Sequence, residues 1–155
     1  MPRIPMIEYK NASPQAKKEY DKQIVKHGRI TNMKKTLLND VKSFQVLMEW
    51  YPLRDRLADI VGDFAVNVFC HAISSLNNCL ICSSFFRRLL KDEGFDPDNL
   101  ELDQTCQLLA DYGKACVNQP TVVSDELFNR MKKRFSDSEI VLITSFALKL
   151  HLLNL

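Results

Sequence analysis

The feature that most constrains this chain is a helical spacing of apolar residues along most of its length. Between Leu53 and Leu76 the apolar positions recur at i, i+3, i+4 and i+7, which is the pattern of an amphipathic or buried helix. No glycine-flanked segment alternates as a strand does, and Thr121-Val122-Val123 is too short to build a sheet. The sequence therefore predicts an all-α chain, a bundle of about six to eight helices.

Capping and turn residues mark where these helices begin and end. Ser13 and Pro14 suit the start of a first helix and Gly28 suits its end, which leaves residues 1–12 as an extended N-terminal arm. In the first half of the chain, further helical stretches are predicted from Thr31 or Asn32 to Pro52, from Leu53 to Leu76 as one helix or two, and from the Asn77-Asn78 break to Gly94. In the second half they are predicted from Leu100 to Val117, in a short helix after Ser124, and from Ile140 to Leu155. A Ser136–Glu139 capping box precedes the last of them.

The last predicted helix, Ile140–Leu155, is apolar on nearly every face. Such a helix lies at the centre of a core or in a subunit interface. We see no repeat, linker or low-complexity tract in the 155 residues, so we predict a single domain over residues 1–155.

Composition and charge narrow the classes of function. Hydrophobic residues make up 46% of the chain, which excludes a disordered chain, and 21 Lys+Arg against 19 Asp+Glu leave a net charge of +2. Its basic clusters, such as Lys132-Lys133-Arg134, are interspersed with acids and are typical of solvated faces. Because the net charge is small, we expect no nucleic-acid partner. Because no window holds 18 uncharged apolar residues, we expect no membrane partner.

Five cysteines are an odd number for a disulfide framework. The first residues, from Met1 to Pro5, lack the apolar stretch of a secretory signal, so we expect a cytoplasmic protein whose thiols are catalytic, redox-active, metal-binding or buried. Cys70, Cys106 and Cys116 stand among apolar neighbours on predicted helices, where cysteine is commonly a core residue.

The Cys79-Leu80-Ile81-Cys82 segment is the one motif in the sequence that indicates a specific chemistry. Two thiols three residues apart share a helix face and can close a redox disulfide. The break at Asn77-Asn78 puts Cys79 in the first turn of a new helix, where unpaired N–H groups and the helix dipole stabilise a thiolate. We therefore expect a lowered pKa for Cys79, which makes it the attacking thiol, with Cys82 resolving.

Other interpretations of the same residues stay open at this stage. Both cysteines can be small apolar residues of a helix, and a zinc site would need further ligands that the scattered Cys106, Cys116 and His151 do not supply at matching spacing, so we expect no metal and no cofactor. His71 is a candidate general base if its helix packs beside the pair, and is otherwise an ordinary helix histidine.

The order of these motifs resembles the carboxymuconolactone decarboxylase and alkylhydroperoxidase D-like superfamily over essentially the whole chain. The resemblance is carried by five segments: residues 9–14, residues 28–32, Asn77-Asn78-Cys79-Leu80-Ile81-Cys82, residues 123–128 and residues 135–141. It implies an all-helical fold that assembles as a homo-oligomer, a trimer or hexamer, with the thiol pair near a cavity lined by subunits.

The chain departs from the family pattern at the proton relay that serves the sulfurs. Family peroxidases carry Cys-X-His-Cys-X-X-X-His with a glutamate about three turns upstream, whereas this chain has Ile81 and Phe86 at the histidine positions and Asn67 at or near the glutamate. Both thiols remain without the relay, so we expect slower thiol chemistry, or a substitute group such as His71 or Asp63.

Two functions compete on this basis. The first is a peroxiredoxin-type oxidoreductase that uses Cys79 and Cys82 on a small-molecule peroxide or disulfide and is restored by an external thiol reductant. The second is a non-catalytic, oligomeric binding or redox-sensing protein that keeps a cavity for an apolar ligand or partner. The decarboxylase chemistry of the superfamily fits less well, because it uses ionisable Glu and His residues that this site lacks.

Overall fold

The computed structural model describes residues 3–118 and 120–153, and the regular structure in these residues is helical, without strands. The prediction of an all-α chain is therefore confirmed. Eight of the helices described have eight residues or more, as the predicted six to eight require, and α2 is a shorter one. In chain order the helices are α1 (Pro14–His27), α2 (Asn32–Leu37), α3 (Val41–Met48), α4 (Trp50–Val61), α5 (Asp63–Leu76), α6 (Leu80–Asp92), α7 (Gln104–Val117), α8 (Asp125–Arg134) and α9 (Asp137–Leu153).

The chain divides into two compact units, Met1–Glu49 and Trp50–Leu155, and each is described by itself. The single domain over residues 1–155 stays a prediction. Its termini, Met1, Pro2, Asn154 and Leu155, which include the start of the predicted arm and the end of the predicted last helix, lie outside the described residues.

The first unit contains α1, α2 and α3. Ser13 caps α1 by accepting a hydrogen bond from the Ala16 N–H at 3.2 Å, and Gly28 ends the helix at a φ of 70°, as the sequence predicts. Phe44 is fully buried in the small core of this unit. The arm before α1 is less extended than expected, because a 3-10 turn forms at Tyr9–Asn11.

The second unit is built around α5, which packs against α4, α6, α7 and α9. Its core holds the fully buried Phe69 and Phe146, whose rings stack at a centroid distance of 5.9 Å. Gly113 of α7 lies against α5 at this point: a Cβ built there would come within 2.6 Å of the Phe69 ring. The missing side chain thus lets the two helices approach closely.

Two predicted boundaries differ from the structure, and a third stretch follows one of its two predicted alternatives. Pro52 lies inside the first turn of α4 instead of ending a helix, which is tolerated because the first N–H groups of a helix have no intrahelical acceptor. The Leu53–Leu76 stretch, predicted as one helix or two, belongs to two helices, because Gly62 adopts a φ of 86° between α4 and α5. The helix predicted from Leu100 starts later, because the Asp103 carboxylate accepts from the Cys106 N–H at 2.7 Å and caps α7 there.

The last helix, α9, begins with the predicted capping box. Ser136 Oγ accepts from the Glu139 N–H at 3.3 Å, while the Glu139 carboxylate accepts from the Ser136 N–H at 2.7 Å. One side of α9 is buried in the core of the second unit, whereas Val141, Leu148 and Leu152 are exposed. Among the described residues, no helix combines the length and apolar character needed to cross a membrane.

Candidate functional site

The turn between α5 and α6 fixes the position of the first thiol. Asn78 adopts a left-handed φ of 53°, its N–H donates to Ser75 O at 3.1 Å, and the Cys79 N–H donates to Ser74 O at 3.1 Å. These two bonds form a Schellman motif, in which a left-handed residue ends one helix and the next N–H reaches back to it. The Asn77-Asn78 break is therefore confirmed, and Cys79 is tied to the end of α5.

Cys79 is also the N-cap of α6. Its backbone is extended, with φ −77° and ψ 91°, and its Sγ accepts from the Cys82 N–H at 3.3 Å. The sequence prediction put Cys79 inside the first turn, but the helix starts one residue later, at Leu80, because the Schellman motif closes on Cys79. This placement aims the sulfur at an N–H that the helix itself leaves without an acceptor.

The structure joins Cys79 and Cys82 in a disulfide, with a Cα–Cα distance of 5.3 Å. That separation lies within the range of about 4.4–6.8 Å found for disulfides. Both residues are partly exposed. The pair that the sequence predicts is therefore present, in its oxidised form, at the start of a helix and open to solvent.

The two residues between the thiols face solvent. Leu80 is 78% exposed and Ile81 is 85% exposed. One turn further along α6, Phe85 is partly exposed with the Arg88 guanidinium 5.6 Å from its ring centroid. The thiol pair thus lies beside exposed apolar side chains.

None of the three residues Asn67, Ile81 and Phe86 supplies a base to the sulfurs. Ile81 and Phe86 are apolar, and Phe86 is buried in the core. Asn67 is buried on α5 and donates from Nδ2 to Glu93 Oε1 at 2.7 Å. Glu93 caps the far end of α6, about 16 Å along the helix from Cys82 at 1.5 Å per residue. The relay position Asn67 therefore lies at the opposite end of α6 from the thiols.

His71, the candidate base, lies on α5 near the charged side chains of Arg87, Asp98 and Lys114. Burial lowers its pKa, the nearby Arg87 and Lys114 cations lower it further, and Asp98 opposes them. Arg87 forms an ion pair with Asp98, with Nη1 donating to Oδ1 at 2.7 Å. Within the described part of the chain, the structure gives His71 no hydrogen bond to either sulfur. It brings His71 to the Arg87–Asp98 pair instead.

Asp63, the other substitute that we considered, begins α5 and forms an ion pair with Arg54 of α4 at 2.6 Å. It therefore lies at the start of α5, whereas the thiol pair follows the end of that helix. The Asp63 carboxylate is held by a cation at the opposite end of α5 from Cys79.

The histidine beside the turn is one that sequence reasoning did not select. His151 Nδ1, in the last turn of α9, is 3.0 Å from Asn77 Oδ1. An amide oxygen only accepts, so this contact requires the tautomer in which Nδ1 carries the proton. The signal in the sequence is slight: a single histidine close to the end of an otherwise apolar helix, 69 positions after Cys82.

The other three cysteines are buried and free. Burial raises the pKa of the Cys70, Cys106 and Cys116 thiols, for Cys106 to about 11. Their prediction as core thiols agrees with these positions. Among the residues that the structure describes, no group of three or more His, Cys, Asp or Glu side chains is arranged to hold a metal ion.

A cavity of about 650 Å³ in the second unit lies away from the thiol pair, at the start of α7 and along α8. Its wall carries Arg130, Lys133 and Arg134, and its apolar lining residues are Leu102 and Leu108. Three cationic side chains thus share the lining with apolar residues, and the lining includes neither Cys79 nor Cys82.

Comparisons of the chain with family models, with curated proteins and with solved structures find no match.

Proposed function

We propose that this chain is a thiol-dependent oxidoreductase in which Cys79 and Cys82 alternate between a dithiol and a disulfide. The observation that carries the proposal is the position of Cys79: it caps α6, receives the Cys82 N–H on its sulfur, and pairs with Cys82 at a partly exposed site. The resemblance to the alkylhydroperoxidase D-like proteins supports the same chemistry.

The proposed reaction balances over two steps and a reduction. The Cys79 thiolate attacks the terminal oxygen of a hydroperoxide, the O–O bond breaks, and Cys79 becomes a sulfenic acid. The other oxygen of the peroxide takes up a proton and leaves as an alcohol or water. The Cys82 thiol then attacks the Cys79 sulfur, water leaves, and the disulfide forms. An external dithiol reduces this disulfide by exchange and is itself oxidised by two electrons.

The helix start takes over part of what a base does in this scheme. A donor held against the sulfur stabilises the thiolate, which is the nucleophilic form. Because Ile81 and Phe86 cannot accept or deliver a proton, protonation of the leaving oxygen falls to water. We therefore expect turnover slower than that of an enzyme with a complete relay.

The finer parts of the proposal follow from the same chemistry and the resemblance. The substrate is a small peroxide or disulfide, the partner is an external thiol reductant, and the chain assembles as a homo-oligomer, a trimer or hexamer, in the cytoplasm. The exposed apolar side chains on α9, Val141, Leu148 and Leu152, support a subunit contact.

A second candidate is a non-catalytic binding or redox-sensing protein on the same scaffold. It is favoured by the apolar residues at both histidine positions of the relay, Ile81 and Phe86, together with an intact thiol pair. In this alternative the pair reports the redox state by forming its disulfide, and the reduced pair reacts with peroxide no faster than an ordinary dithiol.

The test is peroxide consumption with dithiothreitol as reductant, on the wild type, Cys79→Ser and Cys82→Ser, with Cys116→Ala as the control that removes a buried thiol. We expect turnover in the wild type and the control and its loss in both serine variants, with the Cys79–Cys82 bond found by mass spectrometry. Equal consumption in all four proteins would overturn the enzymatic proposal, and a reversible disulfide without turnover would favour the sensor.

A further inference from the structure

The end of α9 is joined to the turn that carries Cys79. His151 Nδ1 donates to Asn77 Oδ1 at 3.0 Å, across 74 residues of sequence. The other polar group of that amide, Asn77 Nδ2, is buried and has no hydrogen-bond partner among the described residues. The hydrogen bonding of the Asn77 side chain thus rests on His151.

Asn77 is in turn part of the Schellman motif that places Cys79. It is the C-cap of α5, its N–H donates to Ile73 O at 3.0 Å, and the following residues return the chain to Ser75 O and Ser74 O. Because Cys79 both completes this motif and caps α6, a movement of Asn77 shifts the Cys79 sulfur relative to the Cys82 N–H. The contact from α9 therefore acts on the geometry of the thiol pair through the backbone.

We propose that His151 is a positioning residue of the thiol pair: through Asn77 it holds the α5–α6 turn in the conformation that aims Cys79 Sγ at the Cys82 N–H. This inference rests on the proposed function, since it concerns the reactivity of that pair. His151 touches neither the substrate nor the sulfurs in this role. It makes Cys79 the more reactive of the two thiols.

The same geometry has a consequence for the redox equilibrium. A hydrogen bond to a thiolate is charge-assisted and stronger than one to a disulfide sulfur, so the Cys82 N–H stabilises the reduced form more than the oxidised form. Stabilising the reduced form makes a disulfide more oxidising. Loss of His151 should therefore slow the reactions of Cys79 and shift the pair toward the disulfide.

The experiment compares four proteins in fully reduced form: the wild type, His151→Leu, His151→Asn and Ser138→Ala. The asparagine variant places an amide N–H at the position of Nδ1, and Ser138 is exposed in the first turn of α9, at the opposite end of the helix from His151. The rate of alkylation by iodoacetamide at Cys79 and at Cys82 is read by peptide mass spectrometry. The equilibrium of the pair is measured in dithiothreitol redox buffers, and the melting temperature is recorded for each protein.

We expect alkylation of Cys79 at pH 7 in His151→Leu to fall by about three- to tenfold, because a sulfur that is no longer aimed at the Cys82 N–H forms less of the nucleophilic thiolate. His151→Asn should recover most of the wild-type rate, and Ser138→Ala should match the wild type. An unchanged Cys79 rate in His151→Leu, or a loss that His151→Asn does not restore, would overturn the inference. A fall in melting temperature alone does not count in its favour.

Asn77→Ala provides a second route that does not depend on the folding of the leucine variant. It removes the buried amide together with its unpaired Nδ2, and we expect the same loss of Cys79 reactivity. The His151→Leu, Asn77→Ala double variant should lose no more than either single variant, because the two side chains act as one unit. Additive losses would overturn the inference. A wild-type pair that neither forms a reversible disulfide nor alkylates faster than a free thiol would instead overturn the proposed function, and the inference with it.

Discussion

The five cysteines of this chain lie in two different surroundings within the same helical unit. Cys79 and Cys82 stand at the start of α6, partly exposed and bonded to one another, whereas Cys70, Cys106 and Cys116 are buried as free thiols in the core. The same side chain is thus placed twice at the start of a helix, where the Cys82 N–H donates to Cys79 Sγ, and three times in the buried core. Position on the helix, and not residue type, separates a reactive thiol from an inert one.

Thiol labelling gives the largest expected difference between the two sets. With a pKa of about 11, Cys106 carries about one thiolate in 10⁴ at pH 7, whereas an unperturbed thiol carries a few per cent. In the folded, reduced protein we expect iodoacetamide to label Cys79 at least about 100-fold faster than Cys70, Cys106 or Cys116. Peptide mass spectrometry over a time course measures the rates.

Unfolding in urea is the control for that experiment, because it should bring all five labelling rates together. Labelling of the buried thiols at the rate of Cys79 in the folded protein would contradict the division into two sets. It would mean that the core around α5 and α7 opens readily.

A methyl group added to the core tests how rigid the surroundings of the buried thiols are. Gly113 lies on α7 between Cys106 and Cys116, and a Cβ there would come within 2.6 Å of Phe69 and 3.0 Å of Ile73. Overpacking of this kind costs about 1–3 kcal/mol, so we expect Gly113→Ala to lower the free energy of unfolding by that amount, as measured by urea denaturation. The disulfide of Cys79 and Cys82 should form as before. A variant as stable as the wild type would show that α5 and α7 can separate without loss.

The same substitution, cysteine to serine, should lower the stability at one cysteine and leave it unchanged at another. At Cys70, which is fully buried, a serine hydroxyl enters an apolar core and should cost about 1–3 kcal/mol. At Cys79 serine is a preferred N-cap residue, so the reduced Cys79→Ser protein should unfold at the same free energy as the reduced wild type, within about 0.5 kcal/mol. Urea denaturation of the reduced proteins measures both. A large loss at Cys79 would show that its sulfur, and not its capping geometry, holds the turn.

Much of this arrangement can be predicted from the sequence because it depends on local signals. Ser13, Gly28 and the Ser136–Glu139 capping box work within one turn of chain, and the structure shows each where it was expected. The Asn77-Asn78 break and the paired thiols behind it are local in the same sense. Such features need no knowledge of which helices pack together.

The parts that the sequence does not reveal depend on tertiary packing or on a shift of one residue. Whether Cys79 lies in a helix turn or caps it depends on how the Schellman motif closes, which apolar spacing does not specify. The contact between His151 and Asn77 joins residues 74 positions apart, and the placement of His71 near Arg87 and Asp98 needs the pairing of α5 with α6. Periodicity predicts the helices, but not which polar groups meet between them.

His71 follows the buried Cys70 and precedes Cys79 in the sequence. Its substitution gives the smallest expected effect, and it tests whether this histidine belongs to the core or to the thiol pair. His71 lies on α5, and burial together with Arg87 and Lys114 lowers its pKa below the ordinary 6.5, against Asp98. At this histidine the unfolded chain therefore binds a proton more readily than the folded chain. The stability that depends on a neutral His71 is fully present above pH 6.5 and is lost as the pH falls below it.

We accordingly expect the free energy of unfolding to fall less between pH 7.5 and pH 5.5 in His71→Gln than in the wild type. Urea denaturation at each pH measures it. If His71 belongs only to the core around Cys70, the pH profile of Cys79 alkylation will be the same in both proteins. A shift of that profile in His71→Gln, with an unchanged profile of stability, would instead connect His71 to the thiol pair. It would make this histidine the base that serves Cys79. Helix α5 would then carry both a buried, inert thiol at Cys70 and a group that takes part in the chemistry of the thiol pair.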